Sequence, residues 1–137
     1  MKRLSAAQRK TLDQFLRFCV IGGLGFVFDT CLVYFGIDHL HMRRVTAGLF
    51  SFPFVVTFTW AGNRYFTFHD ASRGKKHVQL MRFVMVCGVG LVFNRGTYSL
   101  LVSNVPIFYA YPVLALMAGT AAGMFFNFFV SKKLVFR

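Results

Sequence analysis

Four runs of apolar residues, each about as long as a bilayer is thick, constrain this chain more than any other feature. They cover approximately residues 18–37, 45–61, 83–102 and 111–130. A hydrocarbon core of about 30 Å is crossed by roughly 20 apolar residues in helical form. Lipid offers no partner for backbone N–H and C=O groups, and the runs are apolar on every face, which excludes alternating strands. The sequence therefore predicts an all-α membrane protein with four transmembrane helices.

A second feature is an internal repeat. Residues 14–18 (Gln-Phe-Leu-Arg-Phe) precede the first run, and residues 79–83 (Gln-Leu-Met-Arg-Phe) precede the third. At this offset Gly23 corresponds to Gly88, Gly25 to Gly90, and Asp29 to Asn94. Residues 63–68 align less closely with residues 131–136. This pattern predicts a single domain, residues 1–137, made of two helical hairpins: repeat one at 14–68 and repeat two at 79–136. Because each repeat holds two spans, both repeats enter from the same side, as parallel repeats do.

The formal net charge of +12 is distributed unevenly along the chain. Most basic residues flank the runs on one side: Lys2, Arg3, Arg9, Lys10, Arg17, Arg64, Arg73, Lys75, Lys76, Arg82, Lys132, Lys133 and Arg137. The opposite side has only Arg43 and Arg44. This positive-inside asymmetry predicts that both termini and the central loop are cytoplasmic. It also explains the charge without a nucleic-acid partner, since no folded basic module is present to bind one.

Residues 1–17 precede the first run and are predicted to form a cytoplasmic or interfacial segment. Ser5 and Gln8 have the spacing of a capping box. Leu12, Phe15 and Leu16 offer an apolar face, which favours a short interfacial helix. A disordered basic tail is the alternative.

Polar residues inside the runs are the first candidates for function. Asp29 lies near the middle of the first run, where an isolated charge costs about 2.5–3.5 kcal/mol even on insertion scales. Arg95 lies at nearly the same depth in the third run, beside Asn94. An Asp29–Arg95 ion pair is feasible if those helices face each other. It would either pin the repeats together structurally or line a path for a polar headgroup, together with Asn63, Asn94 and Asn127.

Cations at the cytoplasmic boundary are the second group of candidates. Arg17 and Arg82 are related by the repeat, as are Arg64 and Lys132. With Lys133 they are predicted to ring a lipid-phosphate site at the inner leaflet. The alternative is that they are anchors whose long stems reach from the hydrocarbon to the water.

Motifs for catalysis or cofactor binding do not emerge. The Gly clusters at 22–25 and 88–90 lie inside apolar runs and do not complete a G-x-G-x-x-G loop. Small residues permit close helix approach in membranes, and the ladder of Ala115, Gly119 and Gly123 fits contact within one chain or between protomers. Neither histidine pair, 39/41 or 69/77, has further ligands at metal-site spacing. Glutamate is absent. We therefore expect no metal, no cofactor and no catalytic residue; the chain is predicted not to be an enzyme.

These features together resemble the GtrA-like family of small four-span membrane proteins. The resemblance extends over roughly residues 15–137. It is carried by Arg17-Phe18-x-x-x-Gly22-Gly23 with Asp29, by residues 63–68 (Asn-Arg-Tyr-Phe-Thr-Phe), and by Asn127-Phe128 with residues 131–136. Where the family usually has Asn-Arg-aromatic after the fourth span, this chain has Ser131-Lys132-Lys133.

The resemblance implies a bacterial inner-membrane protein of cell-surface polysaccharide synthesis. Such a protein would flip a polyprenyl-phosphate-linked sugar, for example undecaprenyl-phosphate glucose, from the cytoplasmic to the periplasmic leaflet. Its implied partners are one membrane glycosyltransferase that loads the lipid and another that uses the sugar outside. Because four spans enclose little space, we expect a homodimer. The alternatives are a scaffold that recruits a glycosyltransferase without transport, and a small four-span exporter.

Overall fold

The computed structural model describes residues 5–71 and 74–137, and all regular structure in these ranges is helical. Lys2, Arg3 and Arg73, which the charge pattern assigns to the cytoplasmic side, lie outside the described residues, as does the start of the predicted 1–17 segment. The chain divides after Ala71 into two compact units. Each unit contains one of the two sequence repeats.

The first unit is a hairpin of two long helices, α1 (Ala6–Asp38) and α2 (Arg44–Gly62). Ser5 caps α1 with a complete capping box: its hydroxyl accepts from Gln8 N at 3.3 Å, and Gln8 Oε1 accepts from Ser5 N at 2.8 Å. Helix α2 passes directly into a π-helical turn at Asn63–Thr67. The capping box is thus confirmed, and residues 6–17 are helical.

Helix α1 differs from the expected short interfacial helix followed by a separate span. It runs unbroken for 33 residues, or about 50 Å at 1.5 Å per residue. No proline or glycine interrupts the stretch between Ser5 and Phe18, so the backbone hydrogen bonds continue into the first span. A hydrocarbon core of about 30 Å covers only part of this length, and the first turns of α1 extend beyond it.

The second unit contains α3 (Lys76–Asn104), the short α4 (Pro106–Ala110) and α5 (Pro112–Val130), followed by a π-helical turn at Ser131–Val135. Two prolines set these boundaries. The residue before a proline is disfavoured in the helical region. Val105 and Tyr111 accordingly leave it, with φ of −127° at both. The second hairpin is therefore connected through a helical turn instead of a plain loop.

Four helical stretches are long and apolar enough to cross a membrane: Ala6–Asp38, Arg44–Thr67, Lys76–Asn104 and Pro112–Val135. The predicted all-α fold with four spans is confirmed. Many large apolar side chains on these helices are exposed, among them Phe26 at 71% and Val92 at 70%. Contiguous apolar surface of this kind is rare on soluble monomers and is what lipid requires.

Each hairpin is held together by close helix approach and by aromatic pairs between its helices. Ala47 in α2 and Ala115 in α5 are fully buried. Phe18 meets Phe68 edge-on at 6.4 Å between ring centroids, and the repeat-related rings of Phe83 and Phe136 meet at 5.9 Å. The two units are thus built alike down to individual side chains.

The ladder of small residues on α5 serves contact within the chain. Gly119 faces the backbone carbonyl of Asn94, and Gly123 faces that of Gly90. Both glycines and Ala115 are buried. The alternative use, contact between protomers, is therefore not the one these three residues serve.

Candidate functional site

The basic end of each hairpin is built in the same way. Arg17 on α1 donates from Nη1 to the carbonyl of Phe66 at 3.3 Å. Its counterpart on α3, Arg82, donates from Nη1 to the carbonyl of Leu134 at 3.4 Å. In both cases the acceptor lies in the π-helical turn that ends the partner helix. The turn thus positions one guanidinium in each repeat.

The two π-helical turns occupy equivalent positions in the repeats. Phe68 N donates to Asn63 O at 2.8 Å, and Phe136 N donates to Ser131 O at 2.9 Å. The π-helix is rare and is found frequently at functional sites. The sequence alignment of residues 63–68 with 131–136 located both segments but did not predict their geometry. This geometry places Arg64 and Lys132 on the widened turn of each hairpin.

Asn63, a candidate for the headgroup path, lies inside the first hairpin. It is 2% exposed, and its Oδ1 accepts a hydrogen bond from Thr67 Oγ1 at 2.8 Å. This bond links both ends of the π-helical turn through side chains. Asn63 therefore supports the turn that carries Arg64 and that accepts from Arg17.

The remaining cations of the predicted phosphate ring differ in exposure. Arg64 is only 5% exposed, and its guanidinium lies 5.7 Å from the Trp60 ring centroid and 5.9 Å from that of Tyr65. Such cation–π contact is strengthened by burial. Lys132 lies 5.9 Å from the Phe128 ring centroid, and Lys133 is exposed. Arg64 thus does not resemble an anchor whose head reaches the water.

Polar side chains in the middle of the spans find partners within their own hairpin. Asp29 Oδ1 accepts a hydrogen bond from the Ser51 hydroxyl at 2.5 Å, and Ser51 is fully buried. Asn94 donates from Nδ2 to Thr120 Oγ1 at 3.5 Å. Sequence reasoning missed Ser51 and Thr120. The sequence did contain a signal for Ser51. Ser51 and Asp29 lie at nearly equal distances along the chain from the short turn between α1 and α2, and hence at similar depth in the membrane.

Glycines in the first helix of each hairpin admit a polar residue from the second. Gly25 faces the methyl group of Thr59, and Gly90 faces the carboxamide of Asn127. Asn127 Oδ1 is buried and has no hydrogen-bond partner among the described residues. Buried acceptors in proteins are nearly always satisfied. The contact with Gly90 holds this unsatisfied acceptor between the two helices of the second hairpin.

Two predicted groupings join the repeats and stay predictions: the Asp29–Arg95 ion pair and the ring of five cations. Within its own unit Arg95 is exposed on α3. An exposed guanidinium at membrane depth is costly, so it needs an anionic or polar partner. Among the described residues there is no group of three or more His, Cys, Asp or Glu side chains that could hold a metal ion.

Fold and site together define a class: a four-span helical membrane protein of two like hairpins, each with an anchored cation at one end and polar groups at mid-depth. The family model for the GtrA/DPMS transmembrane domain matches residues 17–136, and the chain belongs to this family. The resemblance drawn from the motifs is confirmed. Membership makes the chain a membrane protein related to lipid-linked sugars. No curated protein matches the chain.

Proposed function

We propose that this protein moves a polyprenyl-phosphate-linked sugar, such as undecaprenyl-phosphate glucose, from one leaflet of the membrane to the other. The observation that carries the proposal is the repeated cationic end of the two hairpins, in a chain that belongs to the GtrA/DPMS family. Arginine recognises phosphate through a planar fork of N–H donors. A lipid phosphate at the inner leaflet is the ligand that suits a guanidinium held at that depth.

The physical problem of such transport lies in the headgroup. The polyprenyl tail can stay in lipid throughout, whereas the phosphodiester and the sugar hydroxyls lose their hydration in hydrocarbon. A transporter must replace that hydration with polar groups along the way. Small transporters often build such a path between repeats.

Candidate groups for the path occur along the spans of both hairpins. Asp29 and Arg95 supply charge, while Asn94 and Asn127 supply amides. The Oδ1 of Asn127 is unsatisfied but buried against Gly90, so it accepts from a sugar hydroxyl only when α3 and α5 separate at that point. Asn63 supports the path through the first π-helical turn. At the basic end, Arg82, Lys132 and Lys133 are the proposed contacts for the lipid phosphate, while Arg17 and Arg64 serve the first π-helical turn, Arg17 through its hydrogen bond to Phe66.

The remaining parts of the proposal follow from this role. The protein resides in the bacterial inner membrane with both termini in the cytoplasm, and works as a homodimer. One membrane glycosyltransferase loads the carrier lipid and another uses the sugar on the outside. The protein itself catalyses no covalent step. Movement is downhill or driven by exchange, since the sequence has no nucleotide-binding motif.

Reconstitution tests the proposal directly. The purified protein is placed in vesicles with labelled undecaprenyl-phosphate glucose in the inner leaflet, and appearance of the label in the outer leaflet is followed. We expect faster appearance than in protein-free vesicles, in proportion to the amount of protein. An unchanged rate, with binding to a glycosyltransferase retained, would instead support the scaffold. Equal acceleration for a cationic drug would support the exporter.

A further inference from the structure

The two repeats differ sharply in their acidic residues. The chain has four acidic side chains, Asp13, Asp29, Asp38 and Asp70. All four precede residue 71 and so belong to the first unit. The second unit has none, although it contains Lys75, Lys76, Arg82, Arg95, Lys132, Lys133 and Arg137. Equivalent positions of the two repeats therefore lie in different electrostatic surroundings.

At the basic end of the first unit, two cations are already paired with carboxylates of the same unit. Arg17 Nε forms an ion pair with Asp13 Oδ2 at 3.0 Å, and Lys10 Nζ forms one with Asp70 Oδ2 at 3.2 Å. The hydrogen bond from Lys10 holds the pKa of Asp70 below its usual range. The Phe66 ring also covers the Arg17 guanidinium, with 5.2 Å between the ring centroid and Cζ.

The second unit has neither the carboxylate nor the aromatic ring at the corresponding positions. Val78 stands where the first repeat has Asp13, one helical turn before the arginine, and Leu134 stands where the first repeat has Phe66. Arg82 makes the same carbonyl hydrogen bond as Arg17, yet it has no carboxylate on its own helix and no aromatic ring in that place. It is exposed. Its charge is therefore available to an external anion.

Arg82 also stands at the edge of an apolar groove between α3 and α5. The groove has a volume of about 470 Å³, within the range of ligand-binding clefts. Its lining consists of two arginines and six apolar side chains: Arg82, Met85, Val86, Val89, Phe126, Val130, Leu134 and Arg137. Val89 lies seven residues beyond Arg82, or about 10 Å along the helix. Cationic groups thus border a channel that continues into the membrane-spanning part of the hairpin.

We propose that the carrier lipid docks on the second repeat alone, with its phosphate between Arg82 and Arg137 and the adjoining hydrocarbon chain in the groove between α3 and α5. This inference rests on the proposed function and assigns an unequal role to its two repeats. The occupant is an amphiphile with one anionic phosphate and a long apolar chain. Such a molecule matches both the charge at the mouth of the groove and its apolar length. In the first repeat the corresponding arginine, Arg17, is instead paired with Asp13 and covered by the Phe66 ring.

The matched arginines provide the central experiment. The full chain is placed in phosphatidylethanolamine nanodiscs with undecaprenyl phosphate, and bound lipid is counted by native mass spectrometry. Because hydrogen bonds to charged groups are among the strong ones, we expect Arg82→Gln to weaken binding about tenfold or more. The control Arg17→Gln removes an equivalent carbonyl hydrogen bond and should change binding less than about twofold. Equal losses in the two variants would overturn the assignment to the second repeat.

A second variant tests the charge while keeping Arg82. Val78→Asp places a carboxylate one turn before Arg82, reproducing the relation of Asp13 to Arg17. Val78 is 39% exposed, so the substitution buries no charge in the hairpin. We expect Val78→Asp to weaken undecaprenyl phosphate binding severalfold, whereas Val78→Asn leaves it unchanged. Unaltered binding in Val78→Asp would contradict the role of an uncompensated Arg82.

A matched pair of variants tests the role of the groove. Val89→Phe reduces the space beside α3, and Leu24→Phe makes a similar change at the corresponding position of α1. Only Val89→Phe should weaken binding. Phosphatidylglycerol serves as competitor in the same discs: displacement of undecaprenyl phosphate at equal mole fraction would show a general anionic-lipid surface and overturn the stated occupant.

Failure of this inference is separable from failure of the proposed function. If the wild-type protein transports the sugar lipid, while Arg17→Gln and Arg82→Gln weaken binding equally, the proposed function holds and the unequal roles of the repeats are refuted. Wild-type protein that binds undecaprenyl phosphate through Arg82 without transport supports the docking site and refutes the flippase. Wild-type protein that binds no undecaprenyl phosphate refutes both.

Discussion

Asp29 illustrates how a single costly residue is accommodated in a span. Its carboxylate takes a hydrogen bond from Ser51 within the first hairpin, which lowers the cost of holding it at mid-depth. One hydroxyl does not neutralise the charge. The predicted ion pair with Arg95 would do so, and the exposure of Arg95 on α3 leaves its guanidinium accessible to such a partner.

Paired substitutions separate a structural from a functional role of these charges. Asparagine at position 29 can still accept from Ser51, so Asp29→Asn removes the charge and keeps that hydrogen bond. If the pair exists, this change leaves Arg95 uncompensated and costs about 3–5 kcal/mol. Adding Arg95→Gln should then restore the amount of protein in the membrane. We expect transport per folded molecule to stay low, because the headgroup path has lost its charges.

Measurement of membrane abundance and of sugar-lipid transport in the double variant decides the matter. Near wild-type transport would show that the pair of charges has only a structural role. Poor abundance in the double variant would count against the pairing itself. Ser51→Ala is the control for the hydrogen bond within the hairpin, and should cost about 1 kcal/mol in stability.

At the scale of elements, the second hairpin depends on close approach between the backbones of α3 and α5. Gly119 on α5 and Gly90 on α3 show how close the helices lie, because a Cβ atom at either would collide with the opposite helix. At Gly119 the obstacle is a backbone carbonyl, that of Asn94, at 2.5 Å from the added carbon. Backbone cannot rotate away as a side chain can, so the helices themselves would have to separate.

Alanine substitutions measure this approach. Gly119→Ala should lower the free energy of unfolding by about 1–3 kcal/mol through overpacking. Gly88→Ala is the matched control, because an added Cβ there meets nothing within 4 Å and alanine is the better helix former. Thermal or chemical unfolding in detergent provides the comparison. A Gly119→Ala variant as stable as Gly88→Ala would show that the helices are less close than described.

At the scale of the whole molecule, the distribution of charge relates the chain to the two sides of the membrane. Basic residues are concentrated at the ends of the hairpins that carry the π-helical turns, whereas the first hairpin loop has only Arg43 and Arg44. Lys and Arg bias of this kind sets orientation in the membrane. The charge pattern therefore predicts that the proposed phosphate-binding end lies at the cytoplasmic leaflet.

Reporter fusions test this orientation. A reporter placed after Arg137 or inserted near Gly74 should be active only in the cytoplasm, and one near His41 only in the periplasm. Cysteine labelling at the same positions with a membrane-impermeant reagent is an independent check. A periplasmic position for Gly74 would place the basic end at the outer leaflet and contradict the proposed direction of transport.

What the sequence determined by itself follows from the membrane as a solvent. Runs of about 20 apolar residues had to become helices because lipid satisfies no backbone group, and the repeat of residues 14–18 at 79–83 predicted two like hairpins. The motifs also indicated the family and singled out Asp29, Asn127 and Arg82. Tertiary structure alone decided which residues meet between helices: Ser51 with Asp29, Asn127 with Gly90, and Arg17 with Phe66. Those contacts depend on helix rotation and on the π-helical turns, and hydrophobicity alone does not specify either when a helix is apolar on all sides.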